Sequence, residues 1–191
     1  MEFCDIPYRI SYRNIKHPRL ELRTGELEVI LPFGHDPETV LSKHRNWIFK
    51  KTEFIKECLN NSSNMEINDR TEKEFKKITR SLVNLFTGEL KIRLNKVYFR
   101  KMKTKWASCS SRNNLTFNKL MKYLPKHLID YIIFHEVAHL IELKHSKKFW
   151  KLVSGKFPKH NKIEEDLFAY WFLIQSNMPY KFSSSSNRII Q

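Results

Sequence analysis

His135 and His139 stand four residues apart in the stretch 128–150, L-I-D-Y-I-I-F-H-E-V-A-H-L-I-E-L-K-H-S-K-K-F-W. On a helix this spacing puts two imidazoles one turn apart on one face, within reach of a single metal ion. Glu136 follows the first histidine, where a carboxylate sits beside the ion and can take a proton from a water that the ion activates. His145 is the third candidate ligand, and it makes a demand on the chain. Along an unbroken helix the stretch from His135 to His145 would span about 15 Å at roughly 1.5 Å per residue. Zinc ligands each sit only about 2.0–2.1 Å from the ion, so the chain must turn back after Ile141 to Leu143. Three protein ligands leave a fourth position for water, which is the catalytic arrangement and not the closed structural one.

The elements that would position these groups are legible around them. Pro125 opens an apolar helix carrying Leu128, Ile129, Ile132, Ile133, Val137, Leu140 and Ile141, and the histidine pair rides on it. Ser146 reads as the N-cap of a short second helix, Ser146 to Ser154, with Phe149 and Trp150 facing inward and Gly155 as its stop. The competing reading is a set of structural histidines, because H-E-x-x-H fixes only three positions. An apolar carrier helix with a third histidine just past its end favours the metal site.

With H-E-V-A-H-L, then H-S-K-K-F-W, and upstream W-A-S-C-S and I-D-Y, the chain resembles the YgjP/DUF45-type zincin metallohydrolases, relatives of the WLM and SprT-like metallopeptidases. The resemblance covers about Tyr8 to Leu173. It implies a minimal zincin fold, His135, His139 and His145 as zinc ligands, and Glu136 as general acid/base. It also implies that W-x-S-C, with Trp106, Ala107 and Ser108, is an edge strand that binds the substrate backbone by strand addition. Ala107 departs from the family's usual Gly in W-G-S-C, and its methyl group narrows the expected cleft. Read from composition alone, Trp106 is equally a core aromatic and Cys109 a buried small residue. The metzincin pattern has the same ligand spacing, but Glu142 stands at its turn glycine, and Met178 reads as a hydrophobic plug.

A length of 191 residues with 41% hydrophobic content suits one domain with a full core and a small appended piece. No run approaches 18 apolar residues and the N-terminus lacks a signal pattern, so a cytoplasmic protein without membrane contact is expected. Cys4, Cys58 and Cys109 are an odd number without C-x-x-C spacing, which argues against a disulfide framework or a cysteine zinc site. The formal charge of +15 has a location: residues 91–126 hold eleven Lys/Arg and no Asp or Glu. Such a field attracts nucleic acid, nucleotides or acidic protein, unless it is simply a solvated surface.

Along the chain, Y-R-I-S-Y-R, R-L-E-L-R and E-L-E-V-I-L alternate as short strands, with a turn at Thr24-Gly25, and predict a small meander with one wet face. Asp36 and Pro37 start a helix to Leu59, in which His44 is structural. A polar linker, 60–68, precedes a helix opened by a capping box of Asp69 and Glu72. Residues 91–110 are extended, with the strand L-T-F-N after a turn at 112–114. Asn161 and Glu164 cap a last helix to about Gln175. Asp130 and Glu142 are candidate acceptors for ligand N–H groups, and Tyr123, Tyr170 and His160 candidate oxyanion donors, with no spacing that selects one.

The expected fold is α+β, a minimal zincin-like arrangement of a small antiparallel sheet, an active-site helix and supporting helices. Residues 1–60 are expected to form an N-terminal piece packed on the rest, 69–178 the catalytic core and 179–191 a tail. The expected function is a zinc-dependent metallopeptidase-like hydrolase acting on peptide or protein, with nickel or another divalent ion suited to imidazole in place of zinc as an option. The alternatives are a nucleotide phosphohydrolase of the nucleoside triphosphate pyrophosphatase kind, using Lys101, Lys103 and Lys105 to hold charge, and a DNA-associated protease.

Overall fold

A computed structural model describes residues 2–3, 6–23, 26–60 and 65–177. The expected turn at Thr24-Gly25, residues 61–64 of the linker, Cys4, the side chain of Cys58, Met178 and the tail 179–191 lie outside them. The chain divides into two compact units, one holding the described residues up to 60 with those from Trp171 on, the other Met65–Tyr170. Among the described residues no helix is long and apolar enough to cross a membrane.

In the first unit β1 (Glu2–Phe3), β2 (Ile6–Tyr12), β3 (Arg19–Arg23) and β4 (Glu26–Leu31) form a sheet of order β1-β2-β4-β3. β2 runs parallel to β4, from Tyr8 opposite Leu27 to Tyr12 opposite Leu31, and β3 pairs with β4 antiparallel. The predicted meander is therefore wrong. Period-2 alternation tells which face a residue takes and says nothing of which strand lies next to which. β4 lies between two strands and is buried on both faces: Leu27, Val29 and Leu31 reach the core with Leu41 and Ile48, while Glu28 and Ile30 are buried as well. The Glu28 carboxylate is met by Arg13 at 2.9 Å and Arg9 at 3.6 Å.

The helix expected from Pro37 to Leu59 is two helices, α1 (Pro37–Lys43) and α2 (Arg45–Asn60). Asp36 caps the first, its carboxylate accepting from the N–H groups of Glu38 and Thr39. His44 leaves helical geometry at φ −105° and ψ 11°, and its carbonyl accepts from Ile48 at 2.9 Å to restart the ladder.

In the second unit the cap of α3 (Glu72–Glu89) is Thr71, two residues after the expected Asp69. Thr71 and Glu74 form the capping box, the Glu74 carboxylate accepting the Thr71 N–H at 2.9 Å. Glu72 instead takes Lys76 and Lys119 at 2.6 and 2.9 Å. Three short strands follow, β5 (Val97–Arg100), β6 (Ala107–Cys109) and β7 (Leu115–Asn118), in the order β5-β7-β6. β5 is parallel and β6 antiparallel to β7, so each sheet mixes both pairings where an antiparallel one was expected. β6 is left at an edge.

A 3-10 helix, Lys119–Tyr123, leads into α4 (Lys126–Ala138), followed by α5 (Lys147–Lys156) and α6 (His160–Asn177). α4 is apolar on every side and buries Leu128, Ile129, Tyr131, Ile132, Ile133, Phe134 and Val137, as a central helix must. Gly155 falls inside the last turn of α5 and does not stop it; the helix runs on until the Phe157 N–H closes on the Val153 carbonyl at 2.8 Å. Glu164 does not cap α6, because its carboxylate accepts from the Tyr131 hydroxyl at 2.7 Å.

Candidate metal centre

α4 ends at Ala138, earlier than its apolar run suggests, and His139 is its C-cap. The next residues tighten into a turn, with Leu140, Ile141 and Glu142 closing back on Val137 and Ala138 at 3.0 Å. The Ser146 hydroxyl then caps α5. The reversal brings His145 back beside the first two histidines, and one ring nitrogen from each of His135, His139 and His145 lies within 4.8 Å of the others. The Nε2 atoms of His135 and His145 are 3.0 Å apart. Two nitrogens each about 2.0–2.1 Å from one tetrahedral ion would be separated by about 3.3 Å, so the donor set fits a single ion of that kind.

Phe149 is the fixed surface beneath all three rings, with centroids 4.9, 4.5 and 4.7 Å from those of His135, His139 and His145. Trp150 stacks with both His145 and His160, at 5.5 and 5.0 Å. The His139 Nδ1 bonds the Glu142 carbonyl at 3.1 Å, which leaves Nε2 for the ion. The Glu142 carboxylate accepts from the Lys144 N–H, so it is the main chain of this residue that orients the His139 ring. Asp130 takes Lys126 at 2.7 Å, and His135 Nδ1 is buried with no partner among the described residues.

Burial and the neighbouring imidazoles of His139, His145 and His160 push His135 down to about 3, and burial lowers His139 as well. Both rings are thus held neutral, the form in which imidazole binds a metal. Glu136 is buried at 8% exposure, and burial pushes its carboxyl up to about 7, against the Lys105 ammonium and the backbone amide of Cys109, which favour the anion. Its Oε2 has no hydrogen-bond partner among the described residues.

That amide places the edge strand. The Trp106 carbonyl accepts from the Asn118 N–H at 2.7 Å, and the Ser110 N–H donates to the Asn114 carbonyl at 2.9 Å. Trp106, Ser108 and Ser110 therefore turn their main-chain groups toward β7, and Ala107 and Cys109 turn theirs to the free edge. Of Trp106, Ala107 and Ser108, only Ala107 offers its backbone to an added strand. Trp106 braces the wall instead, its indole N–H donating to the Leu167 carbonyl at 3.2 Å. The Cys109 thiol is driven up to about 11 by burial and by the charge of Glu136, which leaves it protonated and unreactive near neutral pH.

Asn118 is a residue that sequence reasoning missed. Fully buried, its amide donates to the carbonyls of Met102 and Lys105 at 2.9 Å each, and its oxygen accepts from the Leu120 N–H. It thereby staples the loop that enters β6. The available signal was a polar residue closing the strand L-T-F-N. Of the oxyanion candidates, the Tyr170 hydroxyl is committed to the Glu66 carbonyl, and His160 stacks on Trp150.

A family model described as "YgjP-like, metallopeptidase domain" matches residues 56–170, more than half of the chain. No match to a curated protein was found. Among solved structures the chain is similar to the metallopeptidase zymogen of Pyrococcus abyssi abylysin, at 26% identity and TM-score 0.45 over 48% of this chain and 93% of that one. It is likewise similar to the zymogen of Methanocaldococcus jannaschii jannalysin, at 28% identity and TM-score 0.42 over 52% of this chain and 97% of that one. With the family model spanning the histidine cluster, the carboxylate beside it and the edge strand, the chain belongs to the YgjP-like metallopeptidase domain family and is a metal-dependent hydrolase.

Proposed function

We propose that the protein is a zinc peptidase that hydrolyses a peptide bond of a chain laid along β6, with His135, His139 and His145 holding the ion and Glu136 as base. The observation that carries this reading is the convergence of three imidazole donors within 4.8 Å beside a buried carboxylate whose Oε2 has no partner among the described residues. When bound, the ion supplies Lewis acidity, polarising a carbonyl and lowering the pKa of water from about 15.7 toward 7. Ala107 would pair its N–H and C=O with the substrate backbone, which fixes the scissile bond with little demand on sequence. Glu136 would take the proton of the attacking water at Oε2 and return it to the leaving amine. An anion in this apolar recess gains basicity from its burial, as a general base needs.

Purified protein should carry close to one zinc-class ion per chain by elemental analysis, and His139→Ala close to none. On unfolded protein or a fluorogenic peptide, Glu136→Gln should lower kcat/KM by about 10³-fold with the metal content kept. Cleavage undiminished in Glu136→Gln removes the assigned base; hydrolysis of nucleoside triphosphates with peptides untouched would replace the peptidase reading with the phosphohydrolase one.

A further inference from the structure

We infer that the free edge of β6 selects acidic polypeptide segments, with Lys105 and Arg112 as the residues that read their charge; this rests on the peptidase reading above. Lys105 lies two residues before β6 and Arg112 three after it, and both are exposed. A three-residue strand spans about 10 Å at roughly 3.3 Å per residue, so the two cations bracket the stretch over which a substrate can pair. Several other basic residues of 91–126 are already engaged, and Lys91, Arg93 and Lys96 precede β5, which lies across β7 from β6. Lys119 is paired with Glu72 and Lys126 with Asp130, while Arg100 and Lys122 lie over the rings of Tyr98 and Tyr123. Neither Lys105 nor Arg112 has an ion pair among the described residues.

Lys105 is also held in place. Its carbonyl is gripped by the buried Asn118 amide at 2.9 Å, which anchors its backbone at the mouth of the strand. Its ammonium is close enough for the Glu136 carboxylate to feel the charge. A substrate side chain projecting beside the scissile bond therefore meets a positive charge on an anchored backbone, in a segment, 91–126, that carries no Asp or Glu of its own. An acidic peptide is favoured over nucleic acid as the occupant because the bracketed feature offers the backbone N–H and C=O of Ala107 and the C=O of Cys109. An extended polypeptide continues that ladder, and a sugar-phosphate chain cannot.

The test uses full-length, metal-loaded protein and three peptides of one length, with Glu, Gln or Lys flanking a common scissile pair. The expected kcat/KM is about five- to tenfold higher for the Glu peptide than for the Lys peptide at low salt, shrinking toward unity as salt screens the pairs. Lys105→Glu should invert the order and Lys105→Gln should flatten it, with Tm reporting that each variant is folded. Binding of the Glu peptide to Glu136→Gln protein, read by fluorescence anisotropy, follows the same order without turnover. Cleavage of all three peptides at one rate overturns the inference while the peptidase reading stands. No cleavage of any peptide strikes the peptidase reading, and the anisotropy series then decides the charge preference alone. A single-stranded oligonucleotide that binds more tightly than the Glu peptide and is weakened by Lys105→Glu assigns the edge to nucleic acid and overturns the proposal.

Discussion

Among the described residues two glutamates are buried, and their surroundings could hardly differ more. Glu28, at 3% exposure in the first unit, lies on a central strand with two arginines brought to its carboxylate. Glu136, at 8% exposure on α4, has no ion pair among the described residues, only the field of Lys105 and a backbone amide. A buried charge that is matched locally is a piece of architecture. One that is left short of partners is held at a cost in stability, and such groups collect where chemistry is done.

The sharpest way to break this contrast is a pH series on the metal-free protein. The folded-state pKa of Glu136 is raised above its unfolded value of 4.5, to about 7. The folded state therefore binds more protons than the unfolded chain in that window. Its stability contribution is complete below pH 4.5 and is lost as pH rises through 7. Glu136→Gln escapes the loss, so the stability difference between variant and parent should grow from near zero below pH 4.5 to on the order of 3 kcal/mol above pH 7, measured by urea unfolding. His135 has the opposite sign: its folded pKa is lowered from 6.5 to about 3, so metal-free protein should lose stability as pH falls from 6.5 toward 3. Between 4.5 and 6.5 the two slopes oppose, and the variant alone should show the histidine slope. A flat difference across the series would show that Glu136 is better satisfied than its surroundings imply.

Next in size, Asn118→Ala removes the staple on the loop before β6 and leaves the carbonyls of Met102 and Lys105 unpaired. The expected loss is about 1–3 kcal/mol, with a rise in KM larger than any fall in kcat, since the residue acts through the edge strand. A change confined to kcat would detach Asn118 from substrate binding. Smallest, Glu28→Gln should cost about 1–2 kcal/mol with kcat/KM unchanged, because both arginines are half-exposed and reach water. A fall in kcat/KM there would erase the distinction between the two carboxylates.

The candidate site was more legible in the sequence than the sheets that support it. Ligand spacing along α4 is local geometry, and the demand that His145 return followed from the helix rise alone. The order of β1 to β4 was not legible, since Leu20, Leu22, Leu27 and Val29 alternate alike whichever strand lies beside them. His44 gave no sign of a helix break because the residues around it keep a helical period on both sides. The capping box was off by two because Asp69 and Thr71 are both good cap residues, and packing, with Arg70 turned to the carbonyls of Lys122 and Leu124, decides between them. The roles of Asn118 and of the Glu142 carbonyl depend on contacts made across a turn or between distant segments, which no residue-type pattern records.

The stacking of Trp150 on His145 gives the molecule a native optical gauge. An indole lying over an imidazole changes its emission when that ring is drawn to a cation, so intrinsic fluorescence should titrate with added ion in real time. Trp150→Phe would silence this response while Trp47, Trp106 and Trp171 go on emitting, and loading of the centre could then be followed in the unlabelled protein without a substrate.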